Sequence, residues 1–335
     1  MTMLSLTSHD VQSAAQRLRR VAVRTPLLSS STVDELLGRS VVIKAENVQR
    51  TGSFKMRGAY NAVASLPPQA RAAGVIGASS GNHAQALALA AHLFEVPATV
   101  VIPVDAPAVK VQAIKALGAA ITTYDRRTGC REAIVHQLAA ERGLTIVPSA
   151  NSPAVIAGAG TAAWEMLQDA PDLVAILVPV GGGGLAAGSA LAAAGRHPRL
   201  QVIGVEPAVA DDTRQSLHFG EPVTIPTPVT IADGLGHTTP PRLTFEINRA
   251  LLADVVTVEE TAIADAMAYL WRHYRAAAEP SGAVAFAGLL RVVERLPDGP
   301  VGVILSGGNV DWTSYKNLLD LAMERTESHA APLLR

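Results

Sequence analysis

Leu173-Val174-Ala175-Ile176-Leu177-Val178-Pro179-Val180-Gly181-Gly182-Gly183-Gly184-Leu185 decides the fold. Continued to Gly195, the run is uncharged for about the length that spans a bilayer, so a membrane helix is the first reading to test. Pro179 and the glycines exclude it. Proline removes a helix hydrogen bond, and each glycine in regular structure forfeits about 0.5–1 kcal/mol relative to alanine. The segment reads instead as a buried strand, a loop and a buried Ala-rich helix. Consecutive glycines between a strand and a helix need a reason. Close approach of a phosphate to backbone N–H donors at a helix start supplies one.

Outward from that stretch the same rhythm recurs. Short apolar runs at 75–78, 98–102, 120–123 and 144–147 alternate with helical patterns at about 82–94, 108–117 and 129–142. Strands resume at 201–206, 254–258 and 301–305. Single helices between strands imply parallel pairing with right-handed crossovers. Upstream, 11–23 has helical spacing, Val41 to Glu46 alternates as a strand, and a helix from Ser53 or Lys55 to about Leu66 is halted at Pro67-Pro68. The fold class expected is α/β, a three-layer αβα protein of two lobes. A small domain, 74–149, is inserted into a large one formed by 1–73 and 150–335.

Composition narrows the function. The chain has 335 residues, 49% hydrophobic and 17% charged, enough for a large core in two lobes. A formal charge of -1 and only 4% aromatic residues leave no basic, aromatic-studded face for nucleic acid. Cys130, the single cysteine, allows neither an internal disulfide nor a thiolate zinc cage and reads as a buried or half-buried thiol. The start of the chain lacks a long apolar signal-peptide core, so the cytoplasm is the expected compartment and no membrane partner is expected.

Ligands of such sheets bind beyond the carboxyl ends of the strands. Thr51-Gly52-Ser53-Phe54-Lys55-Met56-Arg57-Gly58 sets a lysine between two bulky apolar residues at a strand-to-helix handover. Desolvation there favours a neutral, nucleophilic amine; the alternative is a lysine that snorkels to water. Lys44 is a rival, but alternation turns it away from Ile43 and Ala45, which suits a structural role. Ser79-Ser80-Gly81-Asn82-His83 opens a helix and offers N–H groups to a carboxylate or phosphate, unless Ser80 or Asn82 merely caps it. Ser306-Gly307-Gly308-Asn309 places a hydroxyl able to bond a ring nitrogen without protonating it, or is a simple turn. In Glu206-Pro207-Ala208-Val209-Ala210-Asp211-Asp212 two carboxylates and a carbonyl can hold a hard cation, or Asp212 caps a helix. Gly182-x-Gly184-x-x-Ala187 with Glu206 beyond also fits a relaxed dinucleotide fingerprint. A nicotinamide enzyme is therefore a rival reading, one that leaves Lys55 without work.

Taken together, the 53–58, 79–83, 181–184 and 306–309 motifs resemble the pyridoxal-phosphate enzymes of the threonine/serine dehydratase and serine racemase family, fold type II, tryptophan synthase β-like. The similarity spans about residues 15–320, and Ile156-Ala157-Gly158, Ile231-Ala232-Asp233-Gly234 and Glu279-Pro280-Ser281-Gly282 look like further family segments. It implies pyridoxal 5'-phosphate as cofactor, with Lys55 joined to its aldehyde, Phe54 against its ring and Asn82 on its 3'-hydroxyl. It also implies Gly181, Gly182, Gly183, Gly184 and Leu185 around the phosphate and Ser306 at the pyridine nitrogen. Ser79, Ser80, Gly81, Asn82 and His83 would seat the substrate carboxylate. Similarity to members that hold Mg²⁺ or Ca²⁺ carries Glu206, Ala210 and Asp212 over as ligands, and a homodimer is implied in the same way.

The activity implied is an ammonia-lyase that dehydrates and deaminates a 3-hydroxyamino acid to a 2-oxo acid and ammonia, with Lys55 as general base. Ser80, as proton donor on the opposite face, makes an amino-acid racemase the alternative; an NAD-dependent oxidoreductase is the less favoured one. Two departures bear on the substrate. The loop Pro148-Ser149-Ala150-Asn151-Ser152-Pro153 differs from the pattern of many relatives, and His237 is an uncommon residue near the expected pocket, unless it is only a loop histidine. A larger or more polar 3-hydroxyamino acid than threonine, such as a phenylserine, a hydroxyaspartate or a hydroxyectoine-pathway intermediate, is compatible with both.

Overall fold

The computed structural model describes residues 4, 6–79, 81–106, 108–125, 127–195 and 197–328. Its strands are β1 (Leu27–Leu28), β2 (Val41–Ala45), β3 (Val75–Ala78), β4 (Ala98–Pro103), β5 (Ala120–Tyr124), β6 (Thr145–Ile146), β7 (Ala175–Pro179), β8 (Gln201–Pro207), β9 (Asp254–Val258) and β10 (Val301–Leu305). They form a six-stranded sheet of order β1-β2-β10-β7-β8-β9 and a four-stranded sheet of order β5-β4-β3-β6. Every pairing is parallel except β1 with β2, as single-helix crossovers require.

Period-two alternation sends successive residues to opposite faces, and both faces are covered by helices. On the larger sheet Ile43, Ala175, Leu177, Ile203, Val303 and Leu305 enter one apolar cluster, while Val42, Ile176, Val178, Val202 and Ile304 enter the other. The smaller sheet repeats the pattern: Val75, Val100 and Ile102 face one cluster, and Ile76 and Val101 the other. Two αβα sandwiches result, matching the expected class.

One helix, Pro153–Asp169, braces two loops of the site. A Cβ on Gly158 would lie 2.5 Å from the Arg57 carbonyl oxygen and 2.8 Å from the Gly58 Cα, so the helix Lys55–Ala64 can approach only because glycine is there. Gly160 meets Gly188 on the helix Gly184–Ala194 in the same way. The lysine and the glycine run are thereby registered against a common support.

Two expectations are corrected. Pro67-Pro68 ends one helix but opens another, Pro68–Ala73, because proline is tolerated in a first turn. Cys130 is exposed, since it stands outside the first turn of Arg131–Arg142 and faces solvent.

Candidate active site

The loops singled out in the sequence converge at the carboxyl ends of β2, β3, β7 and β10. A short antiparallel bridge joins Ser53 to Gly307, and the Phe54 amide donates to the Ser306 carbonyl at 3.0 Å. Thr51 lies at φ 60 and Gly52 at φ 69, a tight left-handed turn ahead of the lysine. The Asn309 amide nitrogen holds that turn by donating to the Thr51 carbonyl at 2.7 Å and also donates to Asn82 Oδ1 at 2.8 Å. Asn82 Nδ2 in turn donates to Glu279 Oε1 at 2.6 Å. Asn82 is therefore no helix cap: Gly81 holds the capping position of the helix Asn82–Leu93, and the asparagine side chain is bound across to Glu279 and Asn309.

Lys55 opens the helix Lys55–Ala64, half-buried, its Nζ donating to the Ser149 carbonyl at 2.9 Å and standing 5.0 Å from the centre of the Phe54 ring. Burial pulls its amine down to about 8, against the opposing pull of Glu279. At pH 7 about a tenth of such an amine is neutral, against about 0.03% of an ordinary lysine. The nucleophilic form is thus raised by more than two orders of magnitude. Lys44 is no rival. Its Nζ is buried against Glu165 at 2.8 Å and the Thr25 carbonyl at 2.8 Å.

Gly181, Gly182, Gly183, Gly184, Leu185 and Ala186 are all buried, and among the described residues none of their amides has an acceptor. Unmet buried donors at a helix start call for an anion. Side chains would close the cradle: a Cβ on Gly182 would lie 3.0 Å from Ala150 Cβ, and one on Gly183, at φ +74, would lie 2.6 Å from Asn248 Nδ2. A phosphate fits this loop, and an aldehyde-bearing ring fits the lysine near it.

Of the remaining predicted residues, Ser79 Oγ accepts from the Gly81 amide at 3.2 Å, and Ser306 is buried with its carbonyl engaged by Phe54. Ser80 lies outside the described residues. His83 bonds the Val147 carbonyl through Nε2 at 2.9 Å, so that nitrogen carries the proton, and its buried Nδ1 is without a partner. Burial first, then Lys55, pushes His83 down to about 4.

The acidic loop follows β8, which runs parallel to β7 with Val205 opposite Pro179. Glu206, rather than Asp212, takes the helix amides, accepting from Thr213 at 3.1 Å and Arg214 at 3.0 Å. Both Asp212 oxygens are buried without a partner. Burial raises Glu206 to about 8 and Asp212 to about 7, with Asp212 adding to Glu206 and Asp211 to Asp212. Orphaned carboxylate oxygens in such a place suit a cation.

Sequence reasoning missed Glu279 and the bridging of Asn309. Each stands in a quoted motif, but no local pattern announces a partner more than two hundred residues or nearly so along the chain. The nicotinamide reading gives no work to the Lys55 amine, which is held at the Ser149 carbonyl, one residue before the Ala150 that packs on Gly182 and Gly184.

A family model described as pyridoxal-phosphate dependent enzyme matches residues 18–307. The chain is 45% identical over 317 residues to an L-threo-3-hydroxyaspartate ammonia-lyase of Saccharomyces cerevisiae, covering 95% of this chain and 97% of that one. It is 42% identical over 313 residues to a serine racemase of Schizosaccharomyces pombe, covering 93% and 97%. The crystal structure of serine racemase from Dictyostelium discoideum superposes with a TM-score of 0.87 at 40% identity, covering 91% of this chain and 99% of that one.

Proposed function

The chain belongs to the pyridoxal-phosphate-dependent enzymes, with the fold of their type II members, and on that premise we propose an ammonia-lyase that converts a 3-hydroxyamino acid to a 2-oxo acid and ammonia. Threonine, serine and 3-hydroxyaspartate are the candidate substrates, the last from the relative at 45% identity. One observation carries the reading: the half-buried amine of Lys55, pulled down to about 8, shares a site with a run of unmet backbone donors.

Pyridoxal phosphate, when bound, supplies an electron sink that stabilises negative charge at the substrate α-carbon. Gly181 to Leu185 would hold its phosphate through backbone N–H groups, Phe54 would flank its ring, Asn82 would face its hydroxyl and Ser306 its ring nitrogen. Lys55 would carry it and would be the base that takes the α-proton at Nζ. Ser79, Gly81, Asn82 and His83 seat the substrate carboxylate, with Ser80 between them. The neutral Nδ1 of His83 adds no charge there. Water lost across the Cα–Cβ bond is regained when the amine leaves, so the net products are the 2-oxo acid and ammonia.

Racemisation is the second reading, favoured by the 42% identity to a serine racemase and by the serine at position 80. Release of 2-oxo acid and ammonia across a panel of 3-hydroxyamino acids, with chiral analysis of what remains, separates the two. Lys55→Ala should abolish both activities, and turnover that survives it would end the proposal.

We further propose lobes of 1–73 with 150–335 and of 74–149, on the ground that the four-stranded sheet draws all its strands from 75–146. A cation at Glu206, Ala210 and Asp212, a homodimer and a cytoplasmic location complete the proposal. Among the described residues no helix is long and apolar enough to cross a membrane. Light scattering checks the dimer, and limited proteolysis checks the lobe boundaries.

A further inference from the structure

We propose that Asn248 is a positioning residue for the cofactor phosphate, a strut that holds the peptide between Gly183 and Gly184 so that the Gly184 amide faces the anion. This role rests on the reading of the glycine run as the phosphate cradle, and it is the same for a lyase and a racemase.

The helix Arg242–Leu251 lies against that run. Leu243, Ile247 and Leu251, each four residues on from the last, pack into the apolar cluster that also takes Leu185 and Ala186. Thr244 and Asn248 form the next stripe round the helix, and it is polar. Even so, Thr244 has no exposed surface and Asn248 is 1% exposed. Both press on the glycine: a Cβ at Gly183 would lie 2.6 Å from Asn248 Nδ2 and 3.1 Å from Thr244 Cβ. Thr244 is satisfied within its own turn, its Oγ1 donating to the Pro241 carbonyl at 2.9 Å. Asn248 reaches across instead. Its Nδ2 donates to the Gly183 carbonyl at 3.4 Å, and its Oδ1 is buried without a partner. An apolar side chain of the same size would fill the space without leaving an acceptor dry, so packing alone does not account for an amide here.

The segment it holds has little else to hold it. Glycines offer no side chains as anchors, and Gly183 caps the helix Gly184–Ala194 at φ 74 with no side-chain bond of its own. Among the described residues, Asn248 is the side chain that hydrogen-bonds the stretch from Gly181 to Leu185. The Gly183 carbonyl takes the Ala187 amide at 2.9 Å on one lone pair, which leaves the second for Asn248. In a planar trans peptide the C=O and N–H point opposite ways. A carbonyl tied to Ala187 and Asn248 therefore turns the Gly184 N–H away from both, and that N–H is one of the unmet donors at the helix start. Exchanging the amide oxygen and nitrogen of Asn248 would set two acceptors against each other, so the donor must face the glycine.

The test compares the binding of pyridoxal phosphate and pyridoxal to apoenzyme, with calorimetric melting alongside. Asn248→Leu keeps the bulk and removes both polar atoms, whereas Asn248→Asp replaces the donor by a second acceptor. Wild type should bind the phosphorylated compound more tightly. In Asn248→Leu its affinity should fall about 10-fold, while that of pyridoxal changes by less than about 2-fold. The phosphorus resonance of the bound cofactor should shift as well. Asn248→Asp should lose more, because its carboxylate opposes the Gly183 carbonyl and adds negative charge beside a seat for an anion. Apo Asn248→Leu should melt no lower than apo wild type, having shed an unmet acceptor, so affinity and stability part ways. A wild type without preference for the phosphorylated compound would defeat the cradle reading itself. The strut alone is overturned by a preference that neither variant moves, by an equal loss for pyridoxal, or by apo Asn248→Leu melting well below wild type. Should Asn248→Leu fail to fold, the affinity ratio of Asn248→Asp decides.

Discussion

Asn82 and Glu279, 197 residues apart in the chain, are joined by a 2.6 Å hydrogen bond between Nδ2 and Oε1. The bond ties the first residue of a small-sheet helix to the residue that precedes Pro280–Val292 on the large sheet. The same carboxylate raises the Lys55 amine against the stronger effect of burial. Glu279→Gln keeps an oxygen for Asn82 but removes the charge. The amine should then fall below about 8, and the rate at which apo enzyme takes up pyridoxal phosphate should reach half its maximum at a lower pH. An unmoved profile would show that Glu279 serves Asn82 alone.

Lys55 lowers the stability of the apo enzyme near neutrality. Its folded value of about 8 lies below the ordinary lysine value of 10.5, so the unfolded chain binds more protons between those limits. Stability therefore rises with pH across that window: the penalty is complete below about 8 and gone above about 10.5. Apo Lys55→Met, which keeps the bulk without the charge, should melt higher than apo wild type at pH 7, by roughly 2–4 °C for each kcal/mol relieved. The gap should close as pH passes 10. Equal melting points at pH 7, read by calorimetry, would rule out a buried charge.

Why some of this is legible in the sequence and some is not follows from the range of the forces involved. β3, β4, β7 and β10 announce themselves because both faces of each are covered, which writes a continuous apolar run bounded by loops. The two-residue β1 carries too short a pattern to read, and it is placed by pairing with β2. Lys44 does turn away from Ile43 as alternation requires, yet that face is buried too, and Glu165, 121 residues on, neutralises it. The glycine run stands out in the sequence because its cost is local. Glu279, Asn309 and the proximity of His237 to Gly182 are set by tertiary packing and leave no local mark.

At Gly183 the backbone is left-handed, and a Cβ would meet Asn248 Nδ2 at 2.6 Å and Thr244 Cβ at 3.1 Å. Gly183→Ala should strain the turn by about 1–2 kcal/mol and disturb the donors around it. Affinity for pyridoxal phosphate should fall about 10-fold or more, whereas pyridoxal, which lacks the phosphate, should bind as before. An equal loss for both compounds would locate the damage at the ring instead.

The acidic loop makes an ion-specific prediction. Glu206 and Asp212 are raised by burial to about 8 and about 7, so at pH 7 protonation competes with a cation for the same oxygens. Mg²⁺ or Ca²⁺ should raise the melting temperature, more at pH 8.5 than at pH 6.5, and chelator should lower it. At 100 times its Kd the ion stabilises by about 2.7 kcal/mol. Asp212→Asn should abolish the response while leaving the amide contacts of Glu206 in place. A melting temperature indifferent to either ion would leave the pair as neutral carboxyl groups.

Arg57 stands two residues beyond the reactive lysine and is fully buried. It forks onto Glu46 at 2.7 and 2.8 Å and onto Glu165 at 2.9 and 2.8 Å, while Lys44 completes the pairing of Glu165. Neither carboxylate can be left alone, because Glu46 has no exposed surface and burial opposes its charge. Lysine in place of Arg57 keeps a charge but cannot present two planar forks at once. Arg57→Lys should therefore cost about 3–5 kcal/mol, the range for breaking a buried pair, and lower the urea midpoint accordingly. Replacing the charged set together by apolar residues of matching volume should cost less than Arg57→Lys alone, since desolvation offsets most of the attraction within the intact set. The reverse ranking in urea titrations would mean that the ion pairs supply net stability to the helix that presents Lys55.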